Sequence, residues 1–304
     1  MKKNVLITGG TGFIGKHLTD LLVLKGYSVL ILSRNVKQNT SDVTYFKWDI
    51  SKKYIDERSV LKADYIIHLA GENIAESRWT TKRKLAIVNS REQPIQLLYD
   101  TLIKHNKKID AFVSASGVGI YGAVNGFEIC NENTAPANDF LGTTCQKWEA
   151  AADKISDLQI RTVKIRTGLV LGNAEGFLKK LAPIFKLKLG SALGDGTQYM
   201  PWIHIDDLCN IYLEALSNPN MEGAYNAAIH DETNNTQFSK TLAQIFGYTI
   251  WMPNIPAFIL QLIMGEMSEI ILKGRRVSSD KIEKLGFQFQ FKNLKIALKD
   301  CLMK

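Results

Sequence analysis

With 304 residues, 45% of them apolar and 22% charged, the chain has the composition of an ordinary soluble globular protein and ample length to bury a core. The net charge of +8 comes from basic residues scattered along the whole chain, which describes a solvated basic surface and argues against a nucleic-acid partner. Cys130, Cys145, Cys209 and Cys301 offer neither C-x-x-C spacing nor a disulfide framework, as expected for a reducing cytoplasm; the apolar stretch 255–272 carries Glu266 and Glu269 and is too short to span a bilayer.

Residues 4–15, NVLITGGTGFIG, read as a buried strand, a glycine turn and the first turn of a helix that runs to Gly26. Lys2 and Lys3 precede too short an apolar run for a signal peptide. Gly10, Gly12 and Gly15 satisfy G-x-G-x-x-G, and Thr8, Gly9, Gly12 and Gly15 the overlapping T-G-x-x-G-x-x-G. One glycine permits the tight turn, one lets backbone approach a pyrophosphate, and one lets helix and strand pack closely, so the pattern predicts a dinucleotide on the helix N-terminus. Residues 27–33 are a second strand, ending in Ser33 and Arg34 with no carboxylate until Asp42. An arginine there suits a 2′-phosphate and an acidic residue a ribose hydroxyl, so the expected cofactor is NADP(H).

Residues 43–50 predict a third strand with Asp49 at its end, and 64–69 a fourth, closing on His68, Leu69, Ala70 and Gly71, whose small turn leaves room for a flat ligand. A helix over 80–106 contains Pro94 and should kink or split there. A fifth strand over 109–116, a Gly-, Asn- and Pro-rich loop over 117–140, a helix over 141–155 and a strand over 158–171 bent near Gly168 follow. Asp206 or Asp207 is the expected cap of a helix over 208–216, a simpler use for that cluster than a metal site. Strands alternating with helices imply an α/β fold with a Rossmann-type, doubly wound parallel sheet.

The segments TGGTGFIG, HLAG, SASGVGIYG, RTGLVLG and WIHIDDL resemble, in that order over residues 1–228, the extended short-chain dehydrogenase/reductases, and the tail with KGRRV and LGFQF resembles the extension of an atypical epimerase-like subfamily. The resemblance implies a cofactor domain over 1–172, with 198–228 contributing, and a smaller, partly intertwined C-terminal substrate domain over 173–304. It places NADP(H) on Gly9, Gly12, Phe13, Ile14, Gly15, Arg34, Asp49, Leu69, Ala70 and Gly71, with Arg166 where the chain leaves the sheet, and substrate chemistry beside Ser116 and Tyr121. A small-molecule substrate, a cytoplasmic monomer or homodimer and no membrane partner complete the expectation.

One departure matters. Such enzymes use a Tyr-x-x-x-Lys pair, in which the lysine lowers the pKa of the proton-exchanging phenol; no tyrosine here has a lysine four residues on. Aligned on Glu149, the two slots hold Leu141 and Cys145. Leu141, Cys145, Trp148 and Glu149 share a helix face, read either as a modified site with Cys145 or Glu149 as acid or base and Trp148 stacking on ligand, or as a core stripe. Tyr121 is the best remaining proton donor, or else a packed hinge residue. The segment 196–203, GTQYMPWI, lacks the arginine of sugar-nucleotide enzymes and offers Gln198 and Trp202 as substrate contacts, with Arg275 and Arg276 as a compensating pair. The chain therefore reads as an NADP(H)-dependent oxidoreductase or epimerase-like enzyme acting on a small hydroxyl or carbonyl compound, sugar nucleotides included, or as a noncatalytic NADP(H)-binding redox sensor; an apolar-ligand binder ranks third.

Overall fold

A computed structural model describes residues 2–172 and 176–303. Short apolar runs form the strands β1 (Asn4–Thr8), β2 (Ser28–Ser33), β3 (Val43–Asp49), β4 (Tyr54–Ile55), β5 (Tyr65–His68), β6 (Ala111–Gly117), β7 (Ile129–Cys130), β8 (Thr162–Thr167), β9 (Leu169–Leu171), β10 (Trp202–His204), β11 (Gly223–Ala227) and β12 (Arg276–Val277). Between them lie α1 (Phe13–Leu24), α2 (Arg58–Lys62), α3 (Thr81–Lys104), α4 (Phe140–Ser156), α5 (Gly176–Lys186), α6 (Ile205–Ser217), α7 (Asn235–Ile245), α8 (Ala257–Met264), α9 (Glu269–Leu272), α10 (Asp280–Lys284) and α11 (Leu294–Met303).

Among the described residues, eight strands form one sheet in the order β11-β8-β6-β5-β1-β2-β3-β4, parallel except for the β3–β4 pair. The strands of its middle are buried on both faces: Val5, Leu6, Ile7, Ile66, Ile67, Phe112 and Val113 are all at 0% exposure, as a sheet covered on both sides requires. Helices α1 and α6 pack together on one face, α3 and α4 on the other. The chain leaves β1 toward β2 and β3, then returns to β5 on β1's other side, so the order reverses beside β1. Ligands in open α/β sheets bind outside the carboxyl ends at such a reversal. The doubly wound parallel architecture is the one expected from the alternation of elements.

Three of the local expectations differ in the structure. The strand expected over 158–171 is two strands in two sheets, because β9 pairs with β10; the switch falls at Gly168, where a Cβ would stand 2.3 Å from the Pro201 carbonyl oxygen. Helix α3 is not split at Pro94, which is buried. Strand β11 joins the main sheet beside β8 and brings back chain from beyond residue 198. Helix α6 is capped by His204, whose Nδ1 accepts from the Asp206 N–H at 3.2 Å, and by neither aspartate. Asp207 is drawn elsewhere: fully buried, it accepts the backbone N–H groups of Gln290 and Phe291 at 2.7 and 3.0 Å and so ties α6 to the tail. Among the described residues no helix is long and apolar enough to cross a membrane.

Candidate functional site

The turn after β1 is closed so tightly that side chains are excluded. Gly9 has φ +73°, and a Cβ on it would stand 2.8 Å from the Leu69 carbonyl carbon; a Cβ on Gly15 would stand 2.3 Å from the Gly9 oxygen. The Gly12 N–H donates to the Gly9 carbonyl at 3.0 Å, and Gly12 is the N-cap of α1 without a side chain to bond the first-turn N–H groups. Those donors and the positive end of the helix dipole form a cradle suited to a pyrophosphate. The site thus fits a dinucleotide. Phe13 packs edge-on against His17 and over Gly172, where a Cβ would meet its ring at 2.3 Å, while Ile14 is half-buried against the core.

Across β2 lies the end that would take the adenosine. Ser33 is buried and its hydroxyl donates to the Asn35 carbonyl at 2.8 Å, holding the turn that leaves Arg34 exposed. The Lys47 ammonium reaches the Arg34 carbonyl at 2.5 Å, adding a second cation. Asp49 spends one carboxylate oxygen on Ser51, bonding both its N–H and its hydroxyl.

On β1's other side, Leu69, Ala70 and Gly71 line the turn after β5. The Leu69 N–H donates to the Thr8 carbonyl and the Ala70 N–H to the Thr8 hydroxyl, at 3.0 and 3.2 Å, so this turn is pinned to the phosphate turn. Beneath it His68 is fully buried, 2.8 Å from the Thr8 hydroxyl; burial, aided by the charge of Arg91, pushes its pKa down to about 3, so it stays neutral at physiological pH.

Next in strand order comes a buried polar row. Sheet register sets Ser116 of β6 beside Arg166 of β8, and Arg166 beside Asn226 of β11. Glu149 of α4 completes it: Arg166 donates to both Glu149 oxygens at 2.8 and 2.9 Å, and the Ser116 hydroxyl donates to the same carboxylate at 2.7 Å. Arg166 also donates to the Tyr121 hydroxyl at 3.0 Å, which in turn donates to Asn226 Oδ1 at 2.7 Å. Burial opposes the Arg166 charge, yet the bonds and field of Glu149 hold its pKa above the ordinary value.

This row alters the roles read from the sequence. Tyr121 is 1% exposed, its proton is committed to Asn226, and burial pushes its pKa up to about 12 despite Arg166. As arranged, its hydroxyl is bonded on both sides within the row. The Ser116 hydroxyl likewise donates its hydrogen bond to Glu149, leaving its oxygen lone pairs to accept. Cys145 lies against Gly117 and Gly119, with Sγ 3.7 and 3.8 Å from where their Cβ atoms would stand. Burial, reinforced by Glu149, pushes its thiol up to about 12, which makes it a poor acid or base at neutral pH. Native protein should therefore resist iodoacetamide at Cys145 at about pH 8, whereas the unfolded chain should react; rapid native labelling of Cys145 would contradict the arrangement.

The residues read as substrate contacts are dispersed. Trp148 is buried between Arg91, whose guanidinium carbon is 4.8 Å from its ring centroid, and His68; its indole N–H has no acceptor among the described residues. Gln198 is buried and donates to the Leu193 and Ile271 carbonyls at 3.1 and 2.7 Å, tying the loop to the tail. Trp202 has no exposed surface, and its indole N–H donates to Asp231 at 2.8 Å, so it builds the core and offers no face to a ligand. Arg276 pairs with Glu232 at 2.6 Å and Arg275 donates to Cys130 Sγ at 3.6 Å. Leu141, in the tyrosine slot, packs against the cluster of Trp79, Ile87 and Met267, to which Met264 and Ile270 also belong, so the tail supplies apolar cover there. His204, Asp206 and Asp300 gather within 4.8 Å of one another, but His204 serves there as the cap of α6.

Arg91 and Asn226 went unread. Arg91 had a signal, since Ile87, Arg91, Ile95 and Leu98 follow helical spacing and place an arginine on the buried face of α3. Asn226 had none, because only sheet register brings it to Arg166.

Comparison with known proteins finds relatives over nearly the whole chain. Residues 5–228 match the model of the NAD dependent epimerase/dehydratase family, and residues 255–301 match a domain of unknown function, DUF1731. Epimerase family protein YfhF of Bacillus subtilis (strain 168) is 34% identical over 296 residues, covering 97% of this chain and 96% of that protein. The chloroplastic epimerase family protein SDR39U1 homolog of Arabidopsis thaliana is 31% identical over 304 residues, covering 97% and 85%. The crystal structure of human epimerase family protein SDR39U1 (isoform 2) with NADPH aligns at TM-score 0.86 and 31% identity, covering 98% of each chain.

Proposed function

The chain belongs to the NAD dependent epimerase/dehydratase family, and on that premise we propose that it is an NADP(H)-binding oxidoreductase or epimerase-like enzyme acting on a small hydroxyl- or carbonyl-bearing compound. The observation that carries the reading is the turn from Gly9 to Gly15, where a Cβ at either end would collide with backbone and the first N–H groups of α1 have no side-chain cap. Support for the 2′-phosphate comes from Arg34 and the neighbouring Lys47 ammonium, and from the NADPH in the human relative. Bound here, NADP(H) supplies or accepts hydride. Residues 1–172, with α6 and β11, form the cofactor half; the remainder, with the tail over Leu141, forms the substrate half.

The protein's own contribution is mainly positional. The turns after β1 and β5 set the depth of the ligand, and the Ser116–Glu149–Arg166–Tyr121–Asn226 row stiffens the floor beside it. With Leu141 and Cys145 in the relay slots and the Tyr121 proton engaged, the proton that accompanies hydride is exchanged with water, taken from it on reduction and released to it on oxidation. The same observation favours a second reading, a noncatalytic NADP(H) sensor. NADPH oxidation measured against a broad carbonyl panel separates the two: turnover on any member supports the enzyme, and tight NADPH binding with no turnover on the whole panel supports the sensor.

Arg34→Ala should weaken NADPH roughly 10- to 100-fold, the worth of a charge-assisted hydrogen bond, and leave NADH within about twofold. Equal loss of both cofactors would remove Arg34 from the 2′-phosphate site.

A further inference from the structure

Arg91 is a buried cation that forms no ion pair among the described residues. It stands on the sheet-facing side of α3 and is 8% exposed. Its Nη1 donates to the Ile87 carbonyl at 2.8 Å and weakly to the Ser90 hydroxyl at 3.4 Å, and its Nη2 donates to the Glu72 carbonyl at 3.1 Å. Every one of these acceptors is neutral. Trp148 covers one face of the guanidinium at 4.8 Å, and Gly71 lies against it, with the Cζ atom 3.3 Å from where a Cβ on Gly71 would stand. Among the described residues no carboxylate comes within ion-pair distance; the Glu72 carboxylate is held by Arg83 instead. Burying a charge is costly unless an opposite charge or hydrogen-bonding partner compensates, and carbonyl groups alone compensate poorly.

Two placements say where the missing partner belongs. Gly71 ends the turn after β5, one strand farther from Arg34 than the phosphate turn after β1, and one strand short of Ser116 on β6. Arg91 therefore serves the half of the dinucleotide distal to adenine. Cys145, whose slot holds the lysine in the enzymes this chain resembles, lies one helical turn before Trp148 on α4, and Trp148 is the ring that covers the Arg91 guanidinium.

We propose that Arg91 replaces the missing lysine from a different helix: its charge holds the pyrophosphate and nicotinamide half of bound NADP(H), and so positions the nicotinamide. The proposal rests on the NADP(H) reading above. It also accounts for the absence of a side chain at Gly71, since a Cβ there would press on the guanidinium.

The test compares two ligands on the whole chain. NADPH spans the site, whereas adenosine 2′,5′-bisphosphate occupies only the adenine end. In Arg91→Met and Arg91→Gln, which keep a long side chain beside Trp148, the ratio of the NADPH Kd to the bisphosphate Kd should rise about tenfold; in Arg91→Lys it should stay within about threefold of wild type. Retained bisphosphate binding certifies that the cofactor half is folded in each variant. An unchanged ratio in Arg91→Met and Arg91→Gln, or an equal rise in Arg91→Lys, overturns the assignment. If wild-type protein binds neither ligand, the NADP(H) reading itself fails, which is a different result.

Discussion

Gly15→Ala is expected to weaken NADP(H) binding roughly 100-fold while leaving the chain able to fold. The new Cβ would stand 2.3 Å from the Gly9 oxygen, 2.6 Å from the Gly10 Cα and 2.8 Å from the Gly10 carbonyl carbon. All three are backbone atoms of the phosphate turn, so no side-chain rotation relieves the overlap and α1 must retreat from the turn. Overpacking of this kind costs about 1–3 kcal/mol of stability. Its effect on the ligand should be larger, because the uncapped N–H groups of α1 move with the helix: a loss of roughly 100-fold in NADPH affinity corresponds to about 2.7 kcal/mol. Calorimetric titration and thermal unfolding of the variant check both parts. NADPH affinity within threefold of wild type would show that the turn is not where the cofactor sits.

The second large effect concerns the buried row. Glu149 and Arg166 are each less than a tenth exposed, and the pair is bidentate. Glu149→Leu strands the guanidinium in the interior, and breaking a buried pair from one side costs about 3–5 kcal/mol. The double variant Glu149→Leu with Arg166→Met carries no stranded charge and should regain most of that loss, although Ser116 and Tyr121 each lose a partner. Denaturant unfolding of both variants measures the difference. A single variant as stable as wild type, or a double variant no better than the single, would show that the row contributes little.

What the sequence made legible was local. The strand, glycine turn and helix over residues 4–15, and the arginine ending β2, are written in neighbouring residues, so spacing alone exposes them. The alternation of strands and helices likewise carried the sheet type. The polar row was opaque for the opposite reason. Ser116, Arg166 and Asn226 meet only through the register of three strands, each about 50 to 60 residues from the next, and the partners of the Tyr121 hydroxyl were out of sight with them. The cap of α6 was misread on similar grounds: Asp207 is a fine capping residue in isolation, but the tail's Gln290 and Phe291 N–H groups claim it, and His204 caps instead. Arg91 sat in plain view on an apolar helix face. Its meaning needed the absence of an ion pair to it among the described residues, which only the fold reveals.

The claim on which the rest depends is a dinucleotide site that prefers a 2′-phosphate and survives without the usual relay. Calorimetric titration of the purified chain with NADPH and with NADH tests it most directly. The expected result is one NADPH per chain, bound at least about tenfold more tightly than NADH, a difference of about 1.4 kcal/mol. Tighter binding of NADH, or no binding of either, would contradict it.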